Sequence, residues 1–139
     1  MLFSIPIAYF LFSPNSGREI VAAFLWLIGL ILSIFLHEVG HALAAQLMGV
    51  EVKSIVIWLL GGFTNLSHPA RKPAQNLVLF SAGPLVNMLL GFFLVIAYIL
   101  LFFWFLPFER NPEIYLWGQT LANLCFSLAL VNMILVIFN

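Results

Sequence analysis

The most constraining feature of this sequence is a long apolar run that carries three ionisable residues in one cluster. The run FLWLIGLILSIFLHEVGHALAAQLMGV contains His37, Glu38 and His41 and no other ionisable side chain. About 20 apolar residues are enough for a helix to cross the hydrocarbon core of a bilayer, and ionisable groups placed there are energetically costly. The cluster therefore indicates a functional site inside a membrane-spanning helix.

The composition agrees with a membrane protein. Of the 139 residues, 64% are hydrophobic and 7% are charged, and five basic and five acidic side chains give no net charge. Soluble domains carry about 25% charged residues, so a soluble chain of this length could not bury its apolar surface. We predict a multi-pass integral protein of the cell membrane, one domain over residues 1–139, in contact with the lipid bilayer. The sequence has no excess of basic residues, which argues against a nucleic-acid partner.

Apolar stretches separated by polar breaks predict an all-α polytopic membrane protein with about four transmembrane helices. Residues 1–12 are interpreted as the end of a first helix, residues 20–49 as the HEVGH helix, and residues 76–106 as a third helix. A fourth helix is predicted from about Glu113 to the end of the sequence.

The third helix contains a break at Gly83-Pro84. A proline inside a helix removes one backbone hydrogen bond and bends the chain. We predict a kink at this point that brings Asn87 towards the HEVGH face.

The segment after the HEVGH helix has a different character. It reads EVKSIVIWLLGGFTNLS, is rich in β-branched residues and contains the pair Gly61-Gly62, which favours a short β-hairpin. Unpaired strand edges are not tolerated against lipid. We therefore expect a membrane-associated hairpin that is shielded by protein or lines a wet cavity.

The HEVGH cluster has the spacing of a zinc site with a built-in base. His37 and His41 share one face of a helix, so both imidazoles can bind one Zn²⁺, which in catalytic sites takes three protein ligands and a water. Glu38 lies about 100° further round the helix and is placed to accept a proton from the activated water. Gly40 leaves room for a neighbouring helix.

These motifs together resemble the membrane core of the site-2 protease family of intramembrane zinc metalloproteases. The resemblance rests on FLHEVGHALAAQLMGV, then WLLGGFTNL, then SAGPLVNMLLG in the next apolar helix, and it covers nearly the whole chain. It implies Zn²⁺ held by His37 and His41, with Glu38 as the catalytic base. It also implies that the substrate is a transmembrane protein, usually shortened first by another protease.

The resemblance further implies substrate-binding roles for three residues. Gly61 and Gly62 match the family's membrane-associated β element, whose exposed edge could bind an unwound substrate by strand addition; an inert connector is the alternative. Asn87 matches the asparagine of a GPxxN-like segment, and its amide could bind substrate backbone or the oxyanion. A hydrogen bond between helices is the alternative for Asn87.

The family's third zinc ligand is an aspartate in a later helix, and this sequence contains no aspartate. Asn139, the last residue, resembles the first residue of the motif that carries that ligand. The expectation is a domain that is incomplete at its C-terminus, in a branch of the family that often carries nucleotide-binding regulatory domains after the membrane core. His68, next to Pro69 in a polar loop, is expected to be solvated rather than to replace the aspartate.

Two functions from other classes remain as alternatives. A metal transporter could use the histidines as a transit site, although few polar residues along the helices offer a path. A non-catalytic relative could bind membrane proteins without cleaving them, but binding alone has no use for Glu38 as a base.

The distribution of basic residues predicts the orientation of the chain, because lysine and arginine favour the cytoplasmic side. Lys53, Arg71 and Lys72 follow the HEVGH helix, whereas Arg18 and Arg110 belong to the opposite side. The hairpin and the loop at 67–75 are therefore expected in the cytoplasm. In a background without Cys125, a cysteine placed at residue 70 should resist a membrane-impermeant thiol reagent applied to intact cells. Labelling from outside would contradict this orientation.

The absence of an aspartate also predicts how the 139-residue chain behaves by itself. Two imidazoles should hold a metal weakly, because a catalytic zinc site needs a third protein ligand. We expect the purified chain to show no appreciable cleavage of a transmembrane peptide. Cleavage that disappears in the Glu38→Gln variant would show that the missing-ligand argument is wrong.

Overall fold

A computed structural model of the chain describes residues 16–58, 61–68 and 72–138. Within these ranges the elements are α1 (Gly17–Leu47), β1 (Val52–Trp58), β2 (Gly61–Leu66), α2 (Pro73–Phe105), a 3₁₀ turn (Leu106–Phe108) and α3 (Pro112–Ile137). All three helices are long and apolar enough to cross a membrane. Three helices are thus found where about four were predicted, and the predicted first helix falls in residues 1–12, outside the described residues.

Local sequence sets both ends of α1. Ser16 and Glu19 form a capping box, in which the Glu19 N–H donates to Ser16 Oγ at 3.4 Å and the Ser16 N–H donates to Glu19 Oε2 at 3.0 Å. At the other end Gly49 has a φ of 76°, and the Val50 N–H donates to the Ala45 carbonyl at 2.9 Å. This Schellman arrangement ends the helix and turns the chain into the hairpin.

The predicted hairpin after the HEVGH helix is confirmed. β1 and β2 pair antiparallel, with Ile57 opposite Gly62 and Ile55 opposite Thr64. Burial alternates along β2: Gly62, Thr64 and Leu66 are half-buried, whereas Phe63 is exposed. The half-buried face packs on α1, so alternate residues of β2 point at the helix that carries HEVGH.

Small residues allow the helices to approach closely, as is common between membrane helices. A Cβ atom at Gly40 of α1 would lie 2.9 Å from the backbone oxygen of Ala82 on α2. A Cβ atom at Gly29 of α1 would lie 2.6 Å from the Leu128 side chain on α3. The predicted role of Gly40 in admitting a neighbouring helix is confirmed, and α2 is the helix that it admits.

A buried polar contact joins α1 to α3. The Asn132 side-chain amide donates to Ser33 Oγ at 3.0 Å and to the Leu128 carbonyl at 2.9 Å, and both Asn132 and Ser33 are buried. Trp26 packs against Leu128 in the small apolar core nearby. The outward faces of the helices are lined with exposed apolar side chains, as expected for surfaces that face lipid.

Helix α2 runs from Pro73 through Pro84 without ending. Because Pro84 has no N–H, the carbonyl of Phe80, one turn earlier, has no helical donor. Asn87, three residues after Pro84, is fully buried and so does not face lipid. The kink predicted at Gly83-Pro84 remains a prediction.

Candidate metal centre

His37 and His41 present a pair of nitrogen atoms to the same point. They stand one turn apart on α1, and their Nε2 atoms are 3.1 Å apart. Two imidazole nitrogens bound to one tetrahedral zinc at about 2.0–2.1 Å would be separated by about 3.3 Å. The observed spacing therefore fits two ligands of a single zinc ion.

A second contact fixes the orientation of the His41 ring. The Nδ1 atom of His41 lies 2.7 Å from the backbone oxygen of Leu79 on α2. Since a carbonyl oxygen can only accept, Nδ1 carries the proton, and the neutral ring keeps its Nε2 lone pair for a metal. Metal-binding histidines generally make such a bond through their other nitrogen, so the contact with α2 fits a ligand role for His41.

Gly83 brings the backbone of α2 directly against the two imidazoles. A Cβ atom at this position would lie 2.5 Å from His37 Nε2 and in even closer contact with His41 Nε2. Any side chain at Gly83 would occupy the space in front of the paired nitrogens. The glycine of the Gly83-Pro84 break is therefore part of the site.

Glu38 lies between α1 and the hairpin and is 5% exposed. Its Oε2 atom accepts a hydrogen bond from the Thr64 hydroxyl at 2.9 Å. A Cβ atom at Gly62 would lie 2.6 Å from Glu38 Cγ, so the absence of a side chain at Gly62 lets strand β2 pack on the glutamate. The hairpin thus forms one wall of the site.

Two cavities open on either side of Glu38. The larger, about 310 Å³, is bounded by Glu38 and His41 on its polar side and by Phe63, Leu79 and Phe80 on its apolar side. The smaller, about 150 Å³, is lined by His37, Glu38, Gly61 and Gly62 together with apolar residues of α1 and α3. Glu38 therefore contributes to the walls of both cavities.

The structure brings together five of the six site residues predicted from sequence. His37, Glu38, His41, Gly61 and Gly62 surround the two cavities. Their chemical roles remain predictions.

Asn87, the sixth predicted residue, lines neither of these cavities. It stands one turn after Gly83 on α2 and is 0% exposed. Neither its amide nitrogen nor its amide oxygen has a hydrogen-bond partner within residues 16–58, 61–68 and 72–138. Buried amides are almost always hydrogen-bonded, so the Asn87 amide has donor and acceptor capacity that the described residues do not use.

A third metal ligand does not appear in the part of the chain that the structure describes, where no group of three or more His, Cys, Asp or Glu side chains could hold a metal. His68 is exposed and lies near Met48, Gly49 and Gln75 at the far end of α1. It is not placed to substitute for the aspartate that the resemblance implies.

Sequence reasoning missed two residues of the site, Thr64 and Gly83. Thr64 follows Gly62 by two positions, so the period of a strand places both on the face of β2 that meets Glu38. With Gly62 in the site, this alternation of side chains along the strand predicts that Thr64 also faces Glu38. Gly83 was recognised only as a helix break, because a contact between helices has no local signature in the sequence.

The site combines paired imidazoles with an adjacent carboxylate on a helix that is long and apolar enough to cross a membrane, and a second such helix packs behind it. These features define a candidate zinc metallopeptidase site. The model of "Peptidase family M50" matches residues 25–115 of the chain. The chain belongs to this family, which is the site-2 protease family.

Relatives named as zinc metalloproteases agree with this membership. The chain is 32% identical to sll0528 of Synechocystis over 120 residues, which cover 82% of this chain and 28% of that protein. It is 32% identical to Rip3 of Mycobacterium tuberculosis over 132 residues, covering 91% of this chain and 31% of Rip3. The chain thus spans less than a third of the length of these relatives. No solved structure matches it significantly.

The contact at Gly83 predicts that an added methyl group disrupts metal binding. In Gly83→Ala, the new Cβ atom must push the imidazoles or the helix away from their positions. Zinc affinity, measured by competition with a chelating dye on the purified membrane protein, should fall about tenfold or more.

Gly17→Ala is the matched control, because nothing lies within 4 Å of a Cβ atom at that position. It should bind zinc as the wild type does. Equal affinity of Gly83→Ala and wild type, with unchanged helix content, would contradict the contact.

Proposed function

We propose that this chain forms the membrane core of an intramembrane zinc endopeptidase that cleaves transmembrane segments of membrane-anchored proteins. The observation that carries the proposal is the pairing of His37 and His41 at 3.1 Å beside the buried Glu38 carboxylate, on a helix that can cross a membrane. Family membership supports the same reaction class.

In this proposal His37 and His41 hold the zinc ion, together with a third ligand that is not among the described residues. Bound zinc would polarise the scissile carbonyl and make water more acidic. Glu38 accepts the proton of the attacking water and passes it to the leaving amine. The near-complete burial of Glu38 limits the water beside it to what enters through the two cavities.

The hairpin and α2 supply the contacts to the substrate. A transmembrane substrate must be unwound before a peptide bond can reach Glu38, and an exposed edge of the two-stranded sheet can hold the unwound segment by strand addition. Gly61 and Gly62 keep that approach free of side chains. The Asn87 amide, which has no partner among the described residues, can bind substrate backbone or the oxyanion.

The larger cavity indicates the kind of substrate side chain that the site accepts. One wall is formed by the polar residues Glu38, His41 and Thr64, and the rest by apolar side chains such as Phe63 and Phe80. An apolar residue next to the scissile bond would fill this cavity and leave the peptide carbonyl near the polar wall. Transmembrane segments are composed mainly of such residues.

The role of Glu38 is tested by Glu38→Gln, which keeps the size of the side chain and removes its basicity. The measurement uses the native protein that carries this chain, reconstituted with zinc in lipid vesicles with a panel of single-span peptides. Cleavage, followed by mass spectrometry, should fall about 10²- to 10⁴-fold, while zinc content is unchanged.

Glu51→Gln serves as the control, because Glu51 is exposed and lies at the far end of α1. It should cleave the panel as the wild type does. Retained proteolysis in Glu38→Gln would refute the role of Glu38 as base. Zinc flux across the vesicle membrane with no cleavage by the wild type would favour the transporter instead.

A further inference from the structure

Strand β2 places a hydroxyl group on the glutamate of the HEVGH cluster. Thr64 Oγ1 lies 2.9 Å from Glu38 Oε2 and 3.0 Å from the backbone oxygen of Glu38. Both oxygen atoms are acceptors, and the single O–H of Thr64 is shared between them. The two residues are 26 positions apart in sequence, so the contact arises only from the packing of the hairpin on α1.

The contact is specific to one side chain. Among residues 16–58, 61–68 and 72–138, the Glu38 carboxylate accepts its hydrogen bond from Thr64. The other side of the glutamate meets the backbone of Gly62, where a Cβ atom would lie 3.1 Å from Glu38 Oε1. Glu38 is therefore confined between a hydroxyl donor and a glycine of the same strand.

A glutamate that acts as a base must hold its carboxylate in one orientation, and a hydrogen bond can fix that orientation. The terminal torsion of a glutamate side chain has a broad, two-fold profile and does not fix the carboxylate by itself. A hydrogen bond to Oε2 selects one orientation and leaves Oε1 for proton transfer. Proton transfer depends on such placement, because donor and acceptor must come within hydrogen-bond reach.

We propose that Thr64 is a positioning residue that orients the Glu38 carboxylate for proton transfer and ties its geometry to the hairpin. The proposal rests on the role of Glu38 as the base in the proposed function. Because Thr64 belongs to the hairpin that would bind the substrate in the proposed function, displacement of the hairpin would withdraw the hydroxyl and release the base. Binding of a substrate to the hairpin and the orientation of the Glu38 carboxylate are then linked through strand β2.

Kinetics separate this role from a purely structural one. In the native protein that carries this chain, reconstituted with zinc, Thr64→Val should lower kcat about 10- to 100-fold with KM and zinc content unchanged. Thr64→Ser retains the hydroxyl and should restore most of the lost kcat. Thr64→Ala, which is smaller than threonine, should behave as valine does if the hydroxyl is what matters.

Thr120→Val is the matched control. The Thr120 hydroxyl donates to the Leu116 carbonyl of its own helix at 2.8 Å and reaches no residue of the site. The same change of chemistry at this position should leave kcat and KM as they are in the wild type.

Infrared spectroscopy tests the contact without turnover. In protein labelled with ¹³C-glutamate and held at one pH, loss of the Thr64 hydroxyl should shift one carboxylate stretching band. The band should shift in Thr64→Val and Thr64→Ala but not in Thr64→Ser or Thr120→Val. The other four glutamates of the chain cancel in the difference spectrum against wild type.

Each outcome decides between the hypotheses. Wild-type kcat in both Thr64→Val and Thr64→Ala, or an unshifted band, would overturn the positioning role. So would a loss confined to KM, which would mean that Thr64 only docks the hairpin. If Glu38→Gln abolishes cleavage while Thr64→Val is normal, only this inference fails; if Glu38→Gln remains active, the proposed function itself fails.

Discussion

The close approach of α2 to α1 is the contact on which the rest of the site depends. Gly40 and Gly83 have no side chains where the two helices meet, and the backbone of α2 reaches Nε2 of both histidines. The same approach brings the Leu79 carbonyl within 2.7 Å of His41 Nδ1. One helix therefore supplies the candidate ligands, while the other orients one of them and limits the space in front of both.

Buried polar contacts explain why these elements assemble in one arrangement. Helices in lipid gain little from burying apolar surface, so packing and hydrogen bonds between elements select their partners. Such contacts among the described residues include His41 to α2, Glu38 to β2 and Asn132 to Ser33 of α1. Asn87 is buried with no hydrogen-bond partner among those residues, in contrast to these three groups.

The hairpin has two functions in this arrangement. Its inner face, with Gly62 and Thr64, covers Glu38 and keeps the carboxylate nearly buried. Its other positions, such as Phe63, border the larger cavity. A two-stranded sheet is marginally stable by itself, so its packing on α1 gives the strand a defined position, and that position in turn defines the surroundings of the glutamate.

Local patterns in the sequence determined the membrane class, three helices of the described part, the hairpin and the one-sided placement of His37 and His41. These follow from composition, from helical periodicity and from the Gly61-Gly62 pair. The predicted helix starts were off by a few residues because a capping box at Ser16 and a proline at position 73 begin α1 and α2 earlier than hydropathy suggests. The roles of the three HEVGH residues follow from the motif itself and those of the other three site residues from the family resemblance, and all six stay predictions.

Only the tertiary structure placed Gly83 against the imidazoles, the Leu79 carbonyl on His41 and the Thr64 hydroxyl on Glu38. The last two join residues 38 and 26 positions apart. Helical and strand periods describe which residues share a face within one element. They do not specify which face of a neighbouring element lies opposite, or how far the two elements are shifted along their axes. That pairing is set by small residues that permit close approach and by buried polar groups that require partners, and both act across elements rather than along the chain.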